Sequence, residues 1–277
     1  MEYIEVNLKA PVECYDRLVA ALSFIDYEGF VEEEQQLKAY IPVSSWSPER
    51  LQEVLQQFEG IEYTIAKLPD VNWNEVWERS YEPVWIEGAC FIRASFHESA
   101  PQAAYEIVIT PKMAFGTGHH PTTGLMLAWQ MELSQQGKKV LDAGCGTAIL
   151  SIMAEKRGAR HVDAYDIDDW AVDNAIENVY LNRCKKIFVQ KGTIRSVQLD
   201  ASPYDLILAN INRNVLLDEM PDYARHLVTE GDLLLSGFLV QDVPLIRSAA
   251  EANGLEFVAL KQKDGWVSVH FTKKQEA

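Results

Sequence analysis

Hydrophobic and polar residues change rhythm repeatedly over the first 66 positions. Ile4, Val6 and Leu8 alternate with polar neighbours, the mark of a strand with one buried face. Pro11 then opens a stretch in which Cys14, Leu18, Ala21, Leu22 and Ile25 share one helical face. Two short strands follow at Phe30-Val31 and Lys38–Ile41, parted by the polar segment Glu32–Gln36. Ser47-Pro48 supplies an N-cap and a first-turn proline for a helix reaching Phe58, and Ile61, Tyr63 and Ile65 alternate again. The order β-α-β-β-α-β is the split, ferredoxin-like arrangement of a small α+β domain over residues 1–66.

Residues 67–82 read as a helical linker, with Trp73 and Trp77 four apart as a packing stripe. Strand-like runs at Val84–Ile86, Cys90–Phe96 and Tyr105–Thr110 lead into Phe115–Thr123, a loop dense in glycine and threonine. Strands and helices then alternate: strand Lys139–Ala143, helix 147–157, strand His161–Tyr165 and helix 169–182. Further strands lie near 186–190, 204–210 and 230–236. This alternation predicts an α/β domain over residues 83–277, built on a doubly wound parallel sheet covered on both faces.

Composition narrows the function. A chain of 277 residues, 48% hydrophobic and 24% charged, is long enough for two cores and unlike a disordered or fibrous one. No apolar run approaches the length of a bilayer span, and Met1–Glu5 has neither a basic nor an apolar leader pattern. The reading is a cytoplasmic monomer with no membrane partner. Its net charge is −16, from 25 basic and 41 acidic residues. That lacks the basic stripe a direct grip on nucleic acid needs, but suits a basic protein partner. Cys14, Cys90, Cys145 and Cys184 are scattered and read as reduced thiols.

The sharpest chemical signal is Val140–Leu150, an apolar strand entering a tight glycine turn and then a helix. Gly144 and Gly146 let a ligand approach bare backbone at the positive end of that helix. Asp166 ends the next strand, 24 positions after Asp142, where a carboxylate can accept both hydroxyls of a ribose. A pyrophosphate loop would place a third glycine at position 149, which is Ile149, and would not place Asp142 before the turn. An acid there favours a ligand with an ammonium or sulfonium, so S-adenosylmethionine fits better than a dinucleotide. Asp142 has two readings of equal weight: it contacts that ligand, or it organises the amides of the turn.

These motifs resemble the ribosomal protein L-eleven methyltransferase family (PrmA). The resemblance rests on Phe115–Thr123, Asp142–Leu150, Asp166-Ile167-Asp168 and Ala209-Asn210-Ile211, in that order. Trp73 and Trp77 resemble the family's linker, and Ser236-Gly237 with Trp266 resembles its C-terminal segments. Ala148 stands where a glycine is usual. The resemblance implies methyl transfer from S-adenosylmethionine to lysine side chains and the α-amino group of a basic protein of the large ribosomal subunit. It implies that Thr122, Thr123, Asp142, Gly144, Gly146, Asp166 and Ile167 bind the cofactor. It places Asn210 both against the cofactor and at the reacting centre, and calls for no metal.

Other readings compete residue by residue. Asn210 taken alone is most often a strand-end turn residue. Adjacent His119 and His120 lack a third ligand and read as loop contacts, not as a metal site. Asp168-Asp169 reads as a cap for the following helix, and Trp266 as packing. For the whole chain the alternatives are a methyltransferase for another protein or a small molecule, and a non-catalytic ribosome-assembly factor.

Overall fold

The computed structural model describes residues 3–33, 36–58, 60–67, 81–111, 116–199 and 202–275. The chain divides into two compact units, Met1–Tyr81 and Glu82–Ala277. Most of the expected linker helix, with Trp73 and Trp77, falls at 68–80, outside the described residues.

The first unit contains β1 (Tyr3–Lys9), α1 (Tyr15–Ser23), β2 (Gly29–Glu33), β3 (Gln36–Pro42), α2 (Pro48–Leu55) and β4 (Glu62–Lys67). Its antiparallel sheet has the order β2-β3-β1-β4. Ile4, Val6 and Leu8 of β1 and Leu37, Ala39 and Ile41 of β3 point to one side, where they meet Leu18 and Leu22 of α1 and Leu51 of α2. The period-two pattern is therefore the core of this unit. Ser47 caps α2, its side chain accepting from the Arg50 amide at 3.3 Å, with Pro48 in the first turn.

The second unit opens with a three-stranded sheet, β5 (Val84–Ile86), β6 (Cys90–Arg93) and β7 (Tyr105–Val108). Then come α3 (Pro121–Glu132), β8 (Lys139–Ala143), α4 (Ile149–Lys156), β9 (His161–Asp166), α5 (Asp169–Leu181), β10 (Ile187–Lys191) and β11 (Tyr204–Asn210). The chain ends with α6 (Arg213–His226), β12 (Leu227–Leu239), α7 (Val243–Ala252), β13 (Leu255–Lys263) and β14 (Trp266–Lys273). The main sheet has the order β10-β9-β8-β11-β12-β14-β13. Val140, Leu206 and Leu208 face one apolar layer with α3 and α4, while Leu141, Ile207 and Ala209 face another with α6 and α7. Two-sided burial explains the apolar runs Leu206–Ala209 of β11 and Leu233–Leu235 of β12.

Three expectations change. The sheet is mixed, because β14 runs antiparallel to both β12 and β13. An Asp264-Gly265 turn joins that last hairpin, both residues at positive φ (51° and 79°), the backbone a tight two-residue turn requires. The strand near 230–236 runs the full length of β12, with a bulge at Gly237 (φ 94°). Lastly, the glycine-threonine loop gives way to α3 at Pro121, so Thr122 and Thr123 lie in the buried first turn of a helix and not in the loop.

Candidate active site

The sheet order turns back between β8 and β11, so the connections after these neighbouring strands leave on opposite faces. A crevice opens at their carboxyl ends, as open α/β sheets place ligands. There a cavity of about 500 Å³ is lined by Gly144, Gly146, Tyr165, Asp166, Ile167, Asp168, Asn210, Ile211 and Glu219. His120, Asn212, Val215, Gly237 and Trp266 complete its wall.

The backbone around it is held in shapes that side chains would spoil. Gly144 has φ 66°, and a Cβ there would enter the Ile211 side chain. Gly237 at φ 94° would drive a Cβ into the Ile211 backbone. Ala148, the N-cap of α4, sits at φ 60°, the left-handed region that explains the glycine usual at that position. The turn is tied outward through Thr147, whose hydroxyl donates to the Gly116 carbonyl at 2.7 Å. Its own carbonyl accepts from Asn178 Nδ2 at 3.0 Å.

The polar groups of the wall differ in how far they are already engaged. Asp166 takes the Gly146 amide on Oδ2 at 2.9 Å and the Asp168 amide on Oδ1 at 3.2 Å. Each oxygen keeps a lone pair for an incoming hydroxyl. Asn210 Oδ1 is buried and has no hydrogen-bond partner among the described residues. His120 caps α3: the Thr122 amide donates to its Nδ1 at 3.3 Å, and its ring meets Trp266 edge-on at 4.6 Å. Burial holds the His120 pKa down, in keeping with a ring nitrogen that accepts a bond.

An unpartnered amide oxygen, a glycine cradle and an acid with spare acceptor capacity fit a nucleoside carrying a cationic tail. The sequence profile of the ribosomal protein L11 methyltransferase family (PrmA) matches residues 16–274. The chain belongs to that family. A ribosomal protein L11 methyltransferase of Phocaeicola vulgatus is 42% identical over 99% of this chain and 100% of that protein. One from Porphyromonas gingivalis is 44% identical over 93% of this chain and 90% of that protein. The crystal structure of a ribosomal protein L11 methylase from Lactobacillus delbrueckii subsp. bulgaricus superposes with a TM-score of 0.65. It is 29% identical and covers 70% of this chain and 100% of that one. Membership makes the chain an S-adenosylmethionine-dependent methyltransferase.

Of the residues to which the family resemblance assigns the cofactor, Gly144, Gly146, Asp166, Ile167 and Asn210 share the cavity wall. Thr122, Thr123 and Asp142 do not line it. Both threonines are fully buried, and the Thr123 hydroxyl has no partner among the described residues. Asp142 is 1% exposed, and its Oδ2 accepts from the Ser151 amide (3.0 Å) and hydroxyl (2.5 Å), so it organises the start of α4. Burial, aided by the nearby Asp166 charge, outweighs those two bonds and raises the Asp142 pKa to about 6. Asp168 occupies the N-cap position of α5 but makes no side-chain cap bond, and it faces the cavity instead. Trp266, read as packing, is on the wall as well, and so is His120.

Tyr165, Val215 and Glu219 escaped sequence reasoning. Glu219 lies in the second turn of an amphipathic helix, where an acid reads as a solvated face. Its one local sign is Tyr223 four residues on, whose hydroxyl donates to Glu219 Oε2 at 2.6 Å.

Proposed function

We propose that this protein methylates amino groups of ribosomal protein L11, at lysine side chains and the α-amino group. Its cofactor would lie in the cavity between the carboxyl ends of β8 and β11. The observation that carries this reading is the buried, unpartnered Asn210 Oδ1 beside that cavity, a neutral acceptor suited to an amine. When bound there, S-adenosylmethionine supplies an electrophilic methyl group. Asp166 would hold the ribose hydroxyls, the Gly144–Gly146 backbone would line the amino-acid end, and Ile167 would pack against the base. Thr122, Thr123 and Asp142 would support that end from behind the wall.

The chemistry asks for alignment more than for acid–base work, since a displacement at a methyl group needs its partners collinear. An exposed lysine at pH 7 must first lose a proton, which costs about 4–5 kcal/mol from a pKa near 10.4. A partly apolar cavity with a cation already in place disfavours the ammonium and offsets part of that. Asn210 Oδ1 would then accept an amine N–H bond and aim the lone pair.

The domain formed by the first 66 residues would recruit the substrate. It holds thirteen acidic residues against four basic ones, a net −9 of the chain's −16. That suits a basic ribosomal protein and opposes a grip on nucleic acid. The protein would act as a cytoplasmic monomer; among the described residues no helix is long and apolar enough to cross a membrane. The test is methyl incorporation from labelled S-adenosylmethionine into purified L11, compared with total RNA and with L11 whose amines are blocked. Label in L11 alone, lost on blocking, supports the reading. Label in RNA, or none in L11, overturns it.

A further inference from the structure

Glu219 is 5% exposed, yet it stands on the cavity wall. Its Oε2 accepts from the Tyr165 hydroxyl at 3.0 Å and the Tyr223 hydroxyl at 2.6 Å. Burial drives both tyrosine pKa values far up, seconded by the Glu219 charge at Tyr165 and by Tyr165 and then Glu219 at Tyr223, so the two hydroxyls remain donors. Oε1 makes no hydrogen bond among the described residues. Among the described residues no cation balances the carboxylate: Arg195 is engaged by Asp218 and Asp222 of the same helix, and no lysine or arginine lines the cavity.

A desolvated carboxylate without a cation is expensive in a folded protein. Two tyrosine donors reduce that cost, but they do not supply a positive charge. The other acids on the wall are better screened. Asp166 carries a backbone amide on each oxygen, and Asp168 is exposed to water. Glu219 is therefore the least screened negative charge facing the cavity, and a cationic ligand is what it lacks.

The methyl donor and the product left after transfer differ in charge at one atom. The sulfur of S-adenosylmethionine is a sulfonium; that of S-adenosylhomocysteine is neutral, having kept the bonding electron pair. Their adenosine and amino-acid parts are the same. We propose that Glu219 is a specificity-determining residue that makes this cavity prefer the sulfonium cofactor over its neutral-sulfur product. Methyl transfer then weakens the hold on what remains and favours exchange for a fresh cofactor. The inference rests on the reading that the cofactor occupies this cavity.

The test is calorimetric affinity of the full-length protein for S-adenosylmethionine and S-adenosylhomocysteine. Glu219→Gln keeps the size and an acceptor for the tyrosines while removing the charge. It should cut the preference for the sulfonium form about tenfold, chiefly by weakening S-adenosylmethionine. A folded Glu219→Gln protein whose preference stays within about twofold of wild type overturns the proposal. Tyr165→Phe, which keeps the charge and removes one donor, covers the case in which Glu219→Gln does not fold. Its preference should hold or rise, and a fall overturns the proposal. Asp166→Ala separates the two readings. If it weakens both ligands while Glu219→Gln leaves their ratio alone, only this inference fails. If it leaves both affinities untouched, the cavity is not the cofactor site and the inference fails with it.

Discussion

Asp142 and Asn210 show how differently two buried polar side chains serve one site. Asp142 Oδ1 is buried without a partner, and the carboxyl titrates at about 6 instead of the ordinary 3.8, chiefly because of burial. Between those two pH values the folded protein keeps a proton that the unfolded chain gives up. Stability must therefore fall as pH rises through that window, by up to about 3 kcal/mol, and level off above it. Denaturant titrations from pH 4 to 7 should show that decline in wild type and a flatter profile in Asp142→Asn. A cationic cofactor nearby pulls the same carboxyl down, so binding at pH 6 should release protons. Calorimetry in two buffers of unlike ionisation heat reads that release directly, and identical heats would rule it out. Asn210 carries no charge, and on the proposed mechanism its contribution would lie in aim. Asn210→Ala should lower turnover about 10- to 100-fold while S-adenosylmethionine affinity changes much less. Wild-type turnover with a large loss of affinity would instead make Asn210 a cofactor-holding residue alone.

At the scale of elements, α5 acts partly as a strand. Asn174, Asn178 and Asn182 are spaced four apart along its face towards β7. Asn182 accepts from the Val108 amide at 3.0 Å, Asn178 accepts from the Thr110 amide at 2.8 Å, and Asn174 donates to the Thr110 carbonyl at 3.2 Å. These amides complete the hydrogen bonds that β7 and its continuation would otherwise lack. Asn178 also donates to Thr147 in the glycine turn, so one side chain ties Thr110 to that turn. Asn178→Ala would leave the Thr110 amide and the Thr147 carbonyl unpaired in the interior. The expected loss is about 2–4 kcal/mol of stability, with weaker S-adenosylmethionine binding even where the protein remains folded. Thermal melts and calorimetry on the same sample check both, and an unchanged melting midpoint would falsify the strand-mimic role.

The whole molecule has two separate apolar interiors in its second unit, one on each face of the main sheet, and a third in its first unit. Among the described residues each unit has its own apolar core, the burial needed to stand by itself. Removing residues 1–81 should therefore leave S-adenosylmethionine affinity near wild type. Methylation of intact L11 should fall steeply, because a tethered module raises the local concentration of a large substrate. If the acidic surface does the recruiting, the full-length rate should also drop as salt rises past physiological strength, where charges are screened within about 8 Å. A truncated enzyme as fast as the full chain, at low and high salt alike, would exclude recruitment by this unit.

The sequence by itself determined the layers and the cofactor class, because both depend on local order. Alternation in β1 and β3 marks one-sided burial, the continuous apolar run of β11 marks two-sided burial, and Ser47-Pro48 marks a helix start. Asp142, Gly144, Gly146 and Asp166 lie within 25 residues of one another on a strand-turn-helix-strand unit, so their spacing alone carries the cradle. The antiparallel pairing of β14 with β12 depends on a partner distant in the chain. Only the tertiary structure decided which residues reach the cavity. It turned Asp142 inward to Ser151, put Thr122 and Thr123 inside a helix that Pro121 begins, and carried His120 onto Trp266 across more than 140 positions. It also set Glu219 of α6 against Tyr165 of β9, 54 residues away. An acid on an amphipathic helix reads as solvated until the neighbour that covers it is known. Burial, unlike periodicity, is a property of the assembled fold.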